Sequence, residues 1–237
     1  STVKNISLEL GGNAPFVVFA DADISNALEG FIAAKFRNAG QTCISANRLF
    51  VEEKIFDKFL KKLVVRIKKL KVGNGFEKSD VGPLISEKAI KKIKNHIDDA
   101  LSKGGEILIG GKKSKIGKLF FEPTIVTNIN KSMKIFSNEN FGPIIPVIKF
   151  KSDDELIQLA NDTNYGLAAY FYTKKASRVW KIIENLEYGM LGINSGKISS
   201  YLNPFGGLKE SGVGREGSIQ CLEPFLETKF VSWSYDD

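Results

Sequence analysis

A chain of 237 residues with 43% hydrophobic and 11% aromatic residues can bury a substantial core, which excludes a disordered chain and fits one or two globular domains. Lys and Arg outnumber Asp and Glu by 34 to 27, which raises the question of a nucleic-acid surface. No run reaches the roughly 18 apolar residues of a membrane span, and the first residues lack a signal-peptide pattern. Two cysteines without repeated spacing indicate neither a disulfide framework nor a zinc site, so we expect a reducing cytoplasm.

The first predicted elements are a buried strand over 16–20 and a helix that Asp23 caps and Gly40 ends, with Cys43 directly after it. Much of the positive charge lies in 54–71, where apolar residues recur at helical spacing and lysines fill the opposite face. Because no exposed aromatic residues are interleaved with the charge, a solvated helix face is favoured over a nucleic-acid surface.

Further along the chain, strands and helices continue to alternate. Ser86 is predicted to cap a second helix, which Gly104 and Gly105 end before a strand at 106–109 and a basic, flexible loop at 110–118. The later elements are predicted as strands at 147–150, 167–173 and 190–194 and as helices at 153–161 and 176–186. This pattern predicts an α/β fold with a largely parallel open sheet flanked by helices.

Cys43 is the first candidate for chemistry, against the alternative that it is a small buried apolar residue. A thiol hydrolase would need a histidine to take the thiol proton, and the single histidine, His96, lies in the polar stretch KNHIDDA and is expected at the surface. The remaining bases are carboxylates. Glu9 is a candidate because it lies between leucines before a double glycine, although from spacing alone a solvent-facing strand residue is the favoured interpretation.

Four ordered motifs resemble the aldehyde dehydrogenase superfamily: LELGGNAP, FRNAGQTCISANR, NENFGPIIPV and NPFGGLKESGVGRE. Cys43 of the second motif follows Glu9 of the first by 34 positions. The resemblance covers the whole chain and implies that family's catalytic-domain fold. It assigns 1–10 to the end of the cofactor-binding domain, 11–209 to the catalytic domain and 210–237 to a C-terminal segment. Within the family, KFRNAGQTC and GKISSYLNPFGG look most like succinate-semialdehyde dehydrogenases.

The resemblance assigns the two catalytic roles. Cys43 would attack the aldehyde carbon to give a thiohemiacetal, which loses hydride to NAD or NADP and becomes a thioester. Glu9 would be the general base for the water that hydrolyses the thioester. The backbone N–H of Cys43 would donate to the oxyanion, while the family's second donor, an asparagine from an earlier segment, has no counterpart here.

Cofactor and substrate residues follow from the same resemblance. Glu139 would bind ribose hydroxyls, and Phe141 and Leu10 would lie along the nicotinamide side. Glu139 could instead be a capping acid, and Phe141 could be a core aromatic. The substrate residues implied are Arg37 and Ser199, which would hold the distal carboxylate of succinate semialdehyde, and Phe205, which would wall the pocket. Arg37 could instead satisfy carbonyls at its helix end.

Two departures from the family pattern set further expectations. Ser45 stands where several succinate-semialdehyde dehydrogenases have a second cysteine, and Cys221 is expected to be structural. Family chains carry a long N-terminal half, so we expect a catalytic half that is inactive alone.

The stretch 226–233, LETKFVSW, resembles the family's strand that pairs with another subunit, which predicts a homo-oligomer, a dimer or a tetramer. A catalytically silent assembly domain and a Cys-His hydrolase remain the alternative functions.

Overall fold

The computed structural model describes residues 2–235 and centres on a seven-stranded sheet. The strands β1 to β11 are Leu8–Glu9, Ala14–Val18, Ala46–Glu52, Glu106–Ile109, Thr124–Thr127, Ile144–Phe150, Tyr165–Gly166, Ala168–Tyr172, Met190–Ile193, Leu208–Lys209 and Gly212–Val213. The helices α1 to α6 are Ile24–Phe36, Phe56–Ile67, Glu87–Ser102, Lys134–Ser137, Asp153–Asn161 and Ala176–Asn185. Short 3-10 segments span Arg37–Gly40, Glu53–Ile55 and Ile219–Phe225.

The sheet has the strand order β4-β5-β6-β3-β2-β8-β9. Every neighbouring pair is parallel except β4 and β5, which are antiparallel. The two central strands, β2 and β3, are buried at every position, as expected for parallel strands covered on both faces. The predicted α/β class with a largely parallel sheet is therefore confirmed.

Helices cover both faces of this sheet and divide the core in two. On one face α1, α2 and α3 pack against the sheet, and on the other α5 and α6 do so. Phe16 of β2 lies at the centre of the first layer, with its ring 5.2 Å from that of Phe31 and 5.2 Å from that of Tyr172. These contacts fix α1, and therefore the loop after it, against the middle of the sheet.

The helix caps predicted from the sequence are present. The Asp23 side chain accepts from the N–H groups of Ser25 and Asn26, and Ser86 accepts from Ala89. Helix α5 has the predicted bounds, whereas the basic stretch 54–71 forms the shorter helix α2 after a 3-10 turn.

The prediction that His96 lies at the surface is wrong. The side chain is 4% exposed, and its Nδ1 lies 2.8 Å from Oδ1 of Asn140. His96 shares the buried face of α3 with Ile93 and Ile97, three positions before and one after it. Burial lowers the pKa of His96, so the neutral ring is favoured. The polar neighbours in the sequence concealed this face.

Residues 226–233 form no strand in the part of the chain that the structure describes. Their apolar side chains, Leu226, Phe230, Val231 and Trp233, are all more than half exposed. Pairing of this segment with another subunit stays a prediction. Within residues 2–235, no helix has the length and apolarity needed to cross a membrane.

Lys35 is a fully buried lysine in α1 whose Nζ has no hydrogen-bond partner among residues 2–235. Burial lowers its pKa to about 7, because removal from water penalises the ammonium. Between this pKa and the ordinary value near 10.5, the unfolded chain binds more protons than the folded chain. The free energy of unfolding therefore rises with pH across that window.

We expect Lys35→Met to raise the free energy of unfolding at neutral pH by an amount on the order of 3 kcal/mol, since the buried amine is removed. The variant should also lose most of the rise in stability between about pH 7 and 10. Urea unfolding at a series of pH values measures both effects, with the exposed Lys58→Met as control. An unchanged pH dependence in Lys35→Met would contradict this account.

Candidate active site

The loop that carries Cys43 has an unusual backbone. Asn38, Ala39 and Gly40 follow α1 with φ values of 50°, 58° and 79°, three consecutive left-handed residues. This conformation costs roughly 1–2 kcal/mol for a residue such as Ala39. Two hydrogen bonds of 3.1 Å support it, from Asn38 Nδ2 to the Gln41 carbonyl and from Gln41 Nε2 to the Asn38 carbonyl. The strained turn sets the position of Cys43, three residues after Gly40.

Cys43 is half-buried, and its neighbour in the chain is anchored to the sheet. The Tyr170 hydroxyl of β8 donates to the Ile44 carbonyl at 2.8 Å. Burial raises the pKa of the Cys43 thiol to about 12, and the adjacent Glu9 carboxylate adds to this rise. Glu139 raises the pKa slightly further, while the N–H of Cys43 itself lowers it. Cys43 is therefore a protonated thiol at neutral pH, with the Glu9 carboxylate close to it.

Glu9 reaches Cys43 through a short strand pairing. Its strand β1 pairs antiparallel with β11, with Glu9 opposite Gly212. Glu9 is exposed, as the sequence suggested for a strand residue facing solvent, and it also contacts the thiol. The next residue, Leu10, is exposed and donates its N–H to the Ser211 carbonyl at 3.0 Å.

The double glycine after Leu10 allows this segment to approach the loop of Cys43 closely. The N–H of Gly12 donates to Glu139 Oε1 at 2.9 Å. A Cβ placed on Gly12 would lie 2.4 Å from the Cys43 carbonyl oxygen, so only glycine fits between the cysteine loop and this strand. Burial raises the pKa of Glu139, and the Gly12 hydrogen bond opposes that rise. Cys43, Glu9 and Glu139 thus form one cluster of acidic groups.

A cavity of about 470 Å³ lies between the end of α1, the end of α2 and the loop at 196–199. Arg37 and Ser199 line it together, with Arg37 Nη1 donating to Ser199 Oγ at 3.1 Å. Thr42 and Ile44 also line it, so the cavity reaches both chain neighbours of Cys43. The structure therefore brings Arg37 and Ser199, the predicted substrate residues, together beside the loop that carries Cys43.

The cavity lining carries an excess of positive charge. Arg66 and Lys197 line it in addition to Arg37, against the single carboxylate of Asp80. The guanidinium of Arg66 is paired with the Glu29 carboxylate, at 2.8 and 3.0 Å. An anionic group in the cavity would meet Arg37 and Lys197, which supports recognition of a negatively charged tail.

The two predicted aromatic residues lie at different places around the cluster. Phe205 is half-buried against the core and exchanges two backbone hydrogen bonds with Glu216, at 2.7 and 2.6 Å. A shallow depression is lined by both Phe205 and Glu9. Phe141 is half-buried in the loop after Glu139, with a left-handed φ of 53°.

Arg48 is a buried residue that the sequence did not indicate. It donates to the carbonyls of Asn13 at 2.9 Å, Leu159 at 3.0 Å and Ala160 at 2.8 Å, and to the Tyr188 hydroxyl at 2.9 Å. Burial lowers its pKa. Arg48 therefore ties the strand that begins after Gly12 to the opposite layer. Its only sequence signal is a charge next to the apolar run Leu49–Val51 of the same strand. Among residues 2–235, no three His, Cys, Asp or Glu side chains come together to hold a metal ion.

Comparison with known proteins gives a consistent picture. A sequence model described as the aldehyde dehydrogenase family matches residues 1–231. A probable NADP-dependent succinate-semialdehyde dehydrogenase of Sinorhizobium fredii is 52% identical over 97% of this chain and 47% of that protein. A 3-sulfolactaldehyde dehydrogenase of Pseudomonas putida is 49% identical over 97% of this chain and 48% of that protein.

Solved structures agree with the sequence relatives. The crystal structure of a succinate-semialdehyde dehydrogenase from Burkholderia pseudomallei superimposes with a TM-score of 0.92 at 52% identity, covering 94% of this chain and 46% of that one. The chain thus spans about half the length of the relatives that it matches.

We expect Glu9→Gln to lower the pKa of Cys43, because a carboxylate that disfavours the thiolate is replaced by a neutral amide. Alkylation of Cys43 by iodoacetamide at about pH 8 should become about three- to tenfold faster, since one pKa unit is a tenfold change in thiolate. The rates are measured in a Cys221→Ser background so that Cys43 alone reports. The exposed Glu53→Gln should leave the rate unchanged. An equal rate in Glu9→Gln would show that Glu9 does not control the thiol, and a slower rate would contradict the effect of its charge on the pKa of Cys43.

Proposed function

The chain belongs to the aldehyde dehydrogenase family, and from this premise we propose that it carries the catalytic centre of an enzyme that oxidises an aldehyde to its acid. The substrate we propose is an aldehyde with an anionic tail, with succinate semialdehyde preferred. The observation that carries the proposal is the Arg37–Ser199 pair in a cavity that reaches both neighbours of Cys43.

The first step assigned to this chain is attack of Cys43 sulfur on the aldehyde carbon. The thiol is protonated and Glu9 lies close to it, so Glu9 takes the proton as the carbon–sulfur bond forms. The carbonyl oxygen gains negative charge, and the backbone N–H of Cys43 is the proposed donor to it. Because Glu9 is exposed, it can return the proton to solvent before the next step.

The second half of the reaction releases the product. After hydride loss the carbon is held as a thioester on Cys43, and Glu9 takes a proton from a water that attacks this carbon. The carbon–sulfur bond then breaks and leaves the carboxylic acid and the Cys43 thiolate. The thiolate regains a proton from the adjacent Glu9.

The cofactor of the proposal is NAD or NADP, which supplies an acceptor for the hydride when bound. Glu139 fits a role in holding its ribose hydroxyls. The carboxylate is half-buried, Oε1 is fixed by Gly12, and Oε2 lies 3.1 Å from where a Cβ on Gly11 would be. The glycine leaves this carboxylate oxygen open to a hydroxyl. Phe141 and Leu10 are proposed to lie along the same side.

The charged cavity supports an anionic tail on the substrate. A guanidinium with an adjacent hydroxyl suits a carboxylate, and Lys197 adds a second cation nearby. The relatives named above act on succinate semialdehyde and on 3-sulfolactaldehyde, which both carry an acidic group far from the aldehyde. Phe205, beside Glu9, is proposed to wall the pocket.

Assembly and location are part of the same proposal. The exposed apolar residues of 226–233 support association of this chain with further copies in a homo-oligomer. The need for a reduced Cys43 favours a cytoplasmic location. By the family resemblance, most cofactor contacts lie in the half of the relatives that these 237 residues do not match. We therefore propose that the chain alone has little or no turnover.

A Cys-His hydrolase is disfavoured by the place of His96, which is buried and bonded to Asn140.

We expect Cys43→Ala to abolish NAD(P)H formation from succinate semialdehyde, because the proposed reaction begins at its sulfur. Absorbance of NAD(P)H is followed with both cofactors, in the 237-residue chain and in any longer translation product that contains it. Cys221→Ser should retain the activity of the unmodified protein. Undiminished turnover in Cys43→Ala would refute the proposed chemistry.

Arg37→Gln should raise KM for succinate semialdehyde about 10- to 100-fold, the range that corresponds to loss of one hydrogen bond to a charged group. For an uncharged aldehyde of similar length, KM should hardly change. Steady-state kinetics with both substrates measure the difference, and Lys58→Gln is the matched control on the exposed face of α2. An equal effect on both aldehydes would contradict a role in binding the tail.

A further inference from the structure

Four buried polar side chains lie beneath the loop that carries Glu139. They are Asn13, Asn47, Asn140 and His96, here called the amide network, and they are 0%, 3%, 0% and 4% exposed. Asn47 Nδ2 donates to Asn13 Oδ1 at 2.5 Å, and Asn47 Oδ1 accepts from the N–H of Asn140 at 2.9 Å. His96 Nδ1 lies 2.8 Å from Asn140 Oδ1. The network joins α3 to the two central strands.

The amide network binds four consecutive backbone carbonyls, those of residues 135–138. Its side-chain amides donate to the carbonyls of Ile135 at 3.3 Å, Phe136 at 3.1 Å, Ser137 at 3.3 Å and Asn138 at 3.1 Å. A chain segment with so many fixed carbonyls has little freedom to shift. Of residues 138–140, only Glu139 has a side chain that belongs to the candidate active site.

His96 completes the network by fixing the orientation of Asn140. The amide nitrogen of Asn140 donates to the carbonyls of Asn47 and Ile135, so its oxygen must accept. His96 therefore presents Nδ1–H, which makes it the neutral tautomer with an unprotonated Nε2. A side chain without this donor would leave a buried carbonyl oxygen unsatisfied.

The position of Glu139 depends on both ends of this arrangement. Its Oε1 accepts from the N–H of Gly12, the residue directly before Asn13 of the network. On the other side of the loop, Gly142 packs so tightly that a Cβ there would lie 2.1 Å from Cδ1 of Ile93 on α3. The loop of Glu139 is thus held through Gly12 on one side and by Ile93 of α3 on the other side.

We propose that His96 and Asn140 are positioning residues, which act through the loop at 138–142 to hold the Glu139 carboxylate on the Gly12 amide beside Cys43. The use of that carboxylate for cofactor binding rests on the proposed function, whereas the positioning does not. The role also explains why the single histidine of the chain is buried, although no proton transfer in the proposed reaction uses it.

The test follows the amide resonance of Gly12 by NMR in the 15N-labelled 237-residue chain, without cofactor or turnover. As the Gly12 N–H is bonded to Glu139, its resonance should move as that carboxylate titrates, with a midpoint above the ordinary value of about 4.3. Glu9 and Lys92 also influence Glu139, so loss of the response in Glu139→Gln assigns the midpoint.

His96→Phe keeps a ring of similar size without the donor, and we expect the Gly12 response to fall by at least about half. His96→Asn carries an amide nitrogen near the place of Nδ1 and should retain most of the response. If His96→Phe does not fold, Asn140→Ala takes its place with the same expectation.

An unchanged Gly12 response in a folded His96→Phe or Asn140→Ala chain would overturn the proposal, even if the free energy of unfolding falls. Equal loss in His96→Asn and His96→Phe would also overturn it, because the donor would then be irrelevant. The outcome does not depend on activity. Failure of the proposed function, seen as turnover that survives Cys43→Ala, is therefore distinguishable from failure of this inference.

Discussion

The site depends on the close approach of the segment at Gly12, just before β2, to the loop of Cys43. No side chain fits at Gly12, because its Cβ would meet the Cys43 carbonyl oxygen at 2.4 Å, and its N–H is already bonded to Glu139. One glycine therefore fixes the distance between the loop of Cys43 and the Glu139 carboxylate. Arg48 and Asn47 of the amide network both donate hydrogen bonds to Asn13, the next residue, and so hold this segment in place. The three motifs that carry Glu9, Cys43 and Glu139 meet at this point.

The same closeness gives the cluster its electrostatics. Two carboxylates beside a half-buried thiol raise the pKa of Cys43 to about 12, in addition to the larger effect of burial. The thiolate is therefore disfavoured at rest, by burial and by Glu9. In the proposed reaction, the protonated thiol has a carboxylate close by that can take its proton.

Much of the fold was readable because its signals are local. The caps at Asp23 and Ser86, the α/β alternation and the parallel sheet follow from short patterns in the sequence. The pairing of Arg37 with Ser199 came instead from family resemblance, since 162 positions separate them. The burial of His96 and Lys35 could not be read, because both depend on contacts distant in sequence. The polar neighbours of His96 suggested the surface instead.

The central claim is that Cys43 carries the substrate as a thioester that Glu9 helps to hydrolyse. The most direct measurement is mass spectrometry of the Glu9→Gln protein after acid quench during reaction with succinate semialdehyde and NAD(P), in the longest translation product that contains this chain. We expect an acyl adduct that accumulates on the peptide with Cys43 and is absent from Cys221. Product formation at an unchanged rate in Glu9→Gln with no adduct on Cys43 would contradict it.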